Sequence, residues 1–148
     1  MKKTRKLLVV LLVLSLLVSF LPQDASGQTR YQTSKAVAES FNSGQVDNVV
    51  IATGNDFADA LSVSVLAGQK DAPILLANKT TNKSQEALDY ISKHMSKGRV
   101  WIAGGTGVID GSFESKLVSM GNSVERIAKN DRYGTCLAIA EKVNAPQG

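Results

Sequence analysis

The sequence predicts an α/β fold of three layers, with a mainly parallel sheet of about four strands and helices on both faces. Three observations carry that expectation. Apolar runs of strand length alternate along the chain with segments whose apolar residues recur at helical spacing. The runs at 49–53, 73–77 and 100–103 are apolar without alternation, which suits strands covered on both sides. Residues that start and stop helices, chiefly Asp, Asn and Gly, stand at the ends of the segments between them.

The chain opens differently. Lys2, Lys3, Arg5 and Lys6 precede an apolar run at 7–21 that only Ser15 and Ser19 interrupt, and Pro22 ends it. A helix of that length reaches about 22 Å, short of the ~30 Å hydrocarbon core of a bilayer. With the small residues Ala25, Ser26 and Gly27 following, residues 1–27 read as a signal peptide cleaved after Gly27, a retained membrane anchor being the alternative. No Cys follows the apolar run, so a lipoprotein anchor is not indicated. Cleavage removes four cations and Asp24 and lowers the formal charge from +4 to +1, which leaves no electrostatic argument for nucleic acid. The remaining 121 residues suit one domain. Cys136 is the single cysteine, which excludes an internal disulfide and a thiol pair for redox or zinc chemistry. An exported protein without disulfides fits a bacterial surface.

Taken in order, 49–53 is a central strand. Phe57, Leu61 and Val65 then recur at i, i+4 and i+8, with Asp56 placed to cap the helix and Gly68 to end it. That helix is apolar nearly all round and is expected to be buried. A second central strand at 73–77 follows. Asn82 and Gln85 resemble a capping box for a helix with Ala87, Leu88, Ile91 and Met95 on one side, Asp89 and Lys93 on the other, and Gly98 at its end. The third central strand, 100–103, leads to a helix at 112–120 with Phe113 and Leu117 inward and Gly121 as its stop. Residues 124–127 are more polar and belong toward a sheet edge.

The chain also repeats itself. Arg30, Tyr31, Thr33, Ala36, Ala38, Glu39 and Asn42 return 102 residues later as Arg132, Tyr133, Thr135, Ala138, Ala140, Glu141 and Asn144. A single register across 13 positions marks tandem domains of one kind. Residues 28–124 are accordingly one repeat module. Residues 125–148 are either the start of a second repeat or the closing strand and helix of the first. Helices are expected at 34–41 and 135–143.

In open parallel sheets, ligands collect beyond the carboxyl ends of the strands. Two loops fall there: Gly54-Asn55-Asp56, and Gly104-Gly105-Thr106-Gly107. Either could aim backbone N–H groups at an anion, but the second fails as a dinucleotide fingerprint and lacks the Lys-Ser/Thr of a P-loop, so a tight turn is its plainer reading. Asp56 and Asp59 suit metal or acid–base chemistry and equally suit a helix start. His94, beside Lys93 and Lys97, reads as a solvated surface residue, and Cys136 as a small half-buried one. Trp101 suits core packing better than sugar stacking. Thr33 and Thr135 can cap their helices while Arg30 and Arg132 pair with a carboxylate or a phosphate-like group, so the Arg-Tyr segments suit both structure and binding. No catalytic constellation, metal-ligand spacing or cofactor motif can be assembled.

Four stretches together resemble the cell wall-binding repeat 2 family: residues 51–61 (IATGNDFADAL), 72–76 (APILL), 100–105 (VWIAGG) and 125–135 (ERIAKNDRYGT). They occur in the family's order and cover nearly the whole chain after the signal. The resemblance implies an exported, noncatalytic module by which Gram-positive bacteria hold surface proteins on the wall, as in S-layer-type anchoring. The implied partner is an anionic secondary wall polymer, a polysaccharide or teichoic-type chain, without a cofactor. It matches Asn55, Asp56, Phe57 and Asp59 to the family's strand-to-helix loop, Ile74, Leu75 and Leu76 to its strand motif, and Arg126, Asp131, Arg132, Tyr133 and Thr135 to its Arg-Tyr signature. Arg30 and Tyr31 join the polymer-binding set as the first copy of that signature. Family members carry three copies packed as a threefold unit, which implies self-association into trimers for a chain with one. Residues 25–29 depart from the pattern, since the family has an Arg-Ile-x-Gly-x-Asp stretch there. The alternatives are a modifier or catalytic partner of a peptidoglycan amidase, and a fragment of a longer multi-repeat surface protein.

Overall fold

The computed structural model describes residues 29–144; the expected signal peptide lies outside them. Its elements are α1 (Arg30–Phe41), β1 (Asn48–Thr53), α2 (Phe57–Ser62), α3 (Ser64–Gln69), β2 (Ile74–Ala77), α4 (Gln85–His94), β3 (Arg99–Ala103), α5 (Gly111–Ser119), β4 (Ser123–Ile127) and α6 (Arg132–Asn144). The four strands form one parallel sheet in the order β2-β1-β3-β4. The expected α/β layering is present.

Alternate residues of each strand feed two separate cores. Val49, Ile51, Leu75, Val100 and Ile102 face α4 and α5, where Leu88, Ile91, Phe113 and Leu117 are buried. Val50, Ala52, Trp101, Ala103 and Ile127 face the other way, against Val63, Leu66 and Ala67 of the α2–α3 layer and Ile139 of α6. Trp101 is buried, as core packing required, and Lys70, Arg99 and Lys142 each place their cationic group 5.3–5.6 Å from its ring centroid.

Several sequence expectations need correction. The strand at 73–77 is not central: β2 is an edge, and α1 lies along it, with the Ser34 hydroxyl accepting from the Leu76 N–H at 3.1 Å. Covering the edge in this way occupies a backbone donor that would otherwise invite pairing. The helix expected from Phe57 is two short helices meeting at Val63, and the break turns Val63, Leu66 and Ala67 inward while Leu61 and Val65 are exposed. Its stop is Asp71, at φ 49, rather than Gly68. The Asn82 box does not form; Ser84 occupies the cap position, and its hydroxyl bonds Asn78 and Thr80 instead.

The helices holding the repeated motif start earlier than expected. Thr29, not Thr33, caps α1 and forms a capping box with Gln32. Asp131 serves the start of α6, accepting from the Gly134 N–H at 2.7 Å, while Thr135 lies buried inside, accepting from Lys129 N–H and donating to the Asp131 carbonyl. His94 is not solvated: it is buried, stacked on Tyr90 with ring centroids 4.4 Å apart, and its Nδ1 lies 2.8 Å from the Gly44 carbonyl oxygen. Cys136 is exposed rather than half-buried. The helix expected from 112 runs as foreseen, capped by Asp110 and closed by Gly121 at φ 90.

Deletion of the fully buried Phe113 side chain (Phe113→Ala) should cost about 3–5 kcal/mol in denaturant unfolding. Val118→Ala, on the exposed face of the same helix, should stay within about 0.5 kcal/mol.

Candidate functional site

The strand order reverses direction between β1 and β3, since the chain leaves β1 for β2 on one side and returns to β3 on the other. In open α/β sheets the crevice beyond the carboxyl ends at that point is the usual ligand position. A cleft of about 320 Å³ opens there, and its walls are the loops after β1, β3 and β4. Asp56 and Asp59 come from the first, Gly104, Gly105, Gly107 and Val108 from the second, and Lys129, Asn130, Asp131, Arg132 and Thr135 from the third.

Each wall has a local cause. Asp56 caps α2 by accepting from the Ala58 N–H at 3.0 Å, which leaves its other oxygen 3.6 Å from Arg132. Gly104 takes φ 104, and a Cβ there would stand 2.7 Å from Val108 and 3.0 Å from the Asp59 carboxylate, so only glycine lets this turn close against Asp59. Arg126 underlies the turn: it donates to the Gly104 carbonyl at 2.8 Å and to Glu114 at 2.9 Å, with Nη2 buried and unpartnered. Arg126 thus supports the β3 loop from below rather than lining the cleft.

A second, shallower cleft on the other side of Asp56 is lined by Arg30, Thr53, Gly54, Asn55, Asp56, Ala60 and Leu76. Arg30 donates to the Gly54 carbonyl. Tyr31 packs on Gly54, where a Cβ would come within 2.4 Å of its ring, and its hydroxyl accepts from Asn78 at 3.1 Å and donates to Asn55 at 3.4 Å. The first copy of the Arg-Tyr signature and the third wall of the main cleft therefore meet at the same β1 loop.

The structure brings together most residues named from sequence. Asp56, Asp59, Asp131, Arg132 and Thr135 line one cleft, Arg30, Asn55 and Asp56 the other, and Tyr31 braces the loop between them. Tyr133 borders neither and is exposed. Ile74, Leu75 and Leu76 lie in β2, and of these only Leu76 reaches either of the two clefts. Lys129, Asn130 and Asn78 were missed, although Lys129 and Asn130 stand inside the signature stretch itself.

The main cleft sets three carboxylates against two cations. Burial, then the neighbouring Asp56, raises the Asp59 pKa above its usual 3.8, with Arg132 opposing. A raised carboxyl pKa means that the folded protein holds this proton more tightly than the unfolded chain. Its contribution to stability is therefore greatest below pH 3.8 and is lost as pH rises through the higher folded value. Asp59→Asn should consequently raise the unfolding midpoint at pH 7 and change it less at pH 3, a difference readable from denaturation at the two pH values.

Comparison with known proteins agrees with this architecture. Residues 25–114 match the family model described as Cell wall binding domain 2. N-acetylmuramoyl-L-alanine amidase LytC of Bacillus subtilis (strain 168) is 33% identical over 119 residues, covering 80% of this chain and 23% of the relative. Among solved structures, Cwp8 from Clostridium difficile superposes with a TM-score of 0.70 at 31% identity, over 78% of this chain and 20% of that one. Cwp6 from the same organism gives 0.68 and 32%, over 78% and 18%. The chain spans less than a quarter of the length of each of these proteins. The chain belongs to the cell wall binding domain 2 family.

Proposed function

We propose that this domain acts outside the cell as a noncatalytic module that binds an anionic secondary polymer of the Gram-positive wall. The observation that carries the reading is the convergence of the Asn55-Asp56 loop and Arg132 on one cleft at the point where the strand order reverses. Arg132 and Lys129 at the rim offer cations to a phosphate or carboxylate, while Asp56, Asp59, Asn130 and Asp131 offer acceptors and donors to sugar hydroxyls. With carboxylates in excess, the cleft suits a sugar whose charge lies beside the ring better than a bare polyanion. Among the described residues, 125–144 are read as closing this domain with β4 and α6. Affinity from one such cleft is weak, and useful retention comes from several modules acting together, in a longer chain or by self-association into trimers.

A second reading has one observation in its favour. The relative LytC is named as an amidase, and this chain covers only 23% of it, so a module of this kind can serve as the partner of a wall hydrolase.

Co-sedimentation with purified Gram-positive walls tests the proposal. The protein, singly or concatenated, should pellet with walls and be released progressively by salt. Arg132→Gln should weaken retention by about tenfold or more, the ~1.5–3 kcal/mol of one charge-assisted hydrogen bond. A concatenated protein that stays in the supernatant refutes wall binding. Release of wall fragments by the purified protein, abolished in Asp56→Asn, would move the assignment to hydrolysis.

A further inference from the structure

Three cations stand around the buried ring of Trp101. The Lys70 ammonium lies 5.6 Å from the ring centroid, the Arg99 guanidinium 5.3 Å and the Lys142 ammonium 5.5 Å, so no two of them are further apart than the sum of two such distances. They come from three separate elements: the residue after α3, the start of β3 and the last turn of α6. Two amide side chains tie these elements together beside the cations. Asn48, at the start of β1, donates to the Lys70 carbonyl at 3.2 Å and accepts from the Trp101 indole N–H at 3.5 Å, while Gln69 donates to the Val143 carbonyl at 2.9 Å. The fold itself therefore sets the convergence.

An indole face attracts a cation, but gathering three on one ring costs mutual repulsion. Glu125, opposite Trp101 in the β3–β4 register, offsets part of that cost, lying 2.6 Å from Lys142 and 3.9 Å from Arg99. One carboxylate shared by two cations leaves a positive charge over, and Lys70 brings a third cation to the same ring. Arg99 and Lys142 also keep access to water, with side chains 52% and 39% exposed. Beyond the expected signal peptide the chain is close to neutral, so this is a local concentration of charge and not the general character of the surface.

We propose that Lys70, Arg99 and Lys142 form a binding site for a phosphomonoester, at the amino ends of the strands and so at the opposite end of the sheet from the cleft. A monoester carries three free oxygens and a charge of about −1.5 to −2 near pH 7. Two oxygens match the guanidinium fork of Arg99, and the third remains for a lysine ammonium. A phosphodiester within a chain has two free oxygens and one charge, so it satisfies the fork and leaves the ammonium groups unanswered. The buried indole behind the cations keeps water from that side, which strengthens each charge-assisted bond. None of the three residues lines either cleft, so this site and wall binding can fail separately.

The test titrates the purified full-length protein with glycerol 3-phosphate at fixed ionic strength and follows the emission of Trp101, the single tryptophan of the chain. Dialysis against the radiolabelled compound counts bound ligand independently. Saturable binding is expected, and dimethyl phosphate, a diester, should bind about tenfold or more weaker. Arg99→Gln and Lys142→Gln should each weaken glycerol 3-phosphate by about tenfold or more, with circular dichroism as a check on folding, and Lys70→Gln should do the same if either loses its fold. Arg132→Gln, in the cleft, should leave the titration unchanged. No saturable binding by either readout overturns the proposal. Equal binding of dimethyl phosphate, or undiminished binding by the folded variants, overturns it as well, since either would be diffuse attraction to charge. Loss of binding in Arg132→Gln would place the phosphate in the cleft and also overturn it.

Discussion

Burial of β1 on both faces is the constraint on which the rest of this molecule depends. Five consecutive residues, 49–53, are buried, with alternate side chains committed to two different cores. A strand in that position needs neighbours on both edges and a helical layer above and below, which fixes a parallel sheet joined by crossovers. It also fixes where the chain can do chemistry. With every strand running the same way, the loops after β1, β3 and β4 emerge at one end of the sheet. Only there do Asp56, Asp59, Lys129, Asp131 and Arg132 come within reach of one another.

Much of this was legible because the signals were local. Unbroken apolar runs gave three strands to within a residue, the more polar 124–127 took its expected edge, and Asp56 and Gly121 mark helix ends by their own chemistry. What stayed hidden depended on tertiary partners. Nothing in residues 73–77 says that the strand is an edge, because α1 supplies the missing cover from 42 positions away through Ser34. His94 carries lysine neighbours and an amphipathic setting, yet Tyr90 and the Gly44 carbonyl provide a buried place for it. The periodicity at Phe57, Leu61 and Val65 describes one continuous helix, and the turn at Val63 changes which side faces in.

The site shows the same division. The Asn-Asp loop and the Arg-Tyr signature could be singled out as motifs, but their meeting could not, since 76 residues separate Asp56 from Arg132. Arg126 has the sequence of a signature residue and the position of a structural support, held by Glu114 and the Gly104 carbonyl. Residues 132–144 carry the largest double load. They bring Arg132 to the cleft and Ile139 to the second core, while repeating the pattern of a helix that elsewhere covers a sheet edge.

Wall polymer, in the function proposed for this domain, is held at the carboxyl ends of the strands. Titration of isotopically labelled protein with polymer released from purified walls, followed through backbone amide shifts, tests it most directly. The largest and saturable shifts should fall at 55–59, 104–108 and 129–132. Saturable shifts confined to the opposite end of the sheet, around Asn48, Arg99 and Ser123, with the cleft amides unmoved, would contradict it.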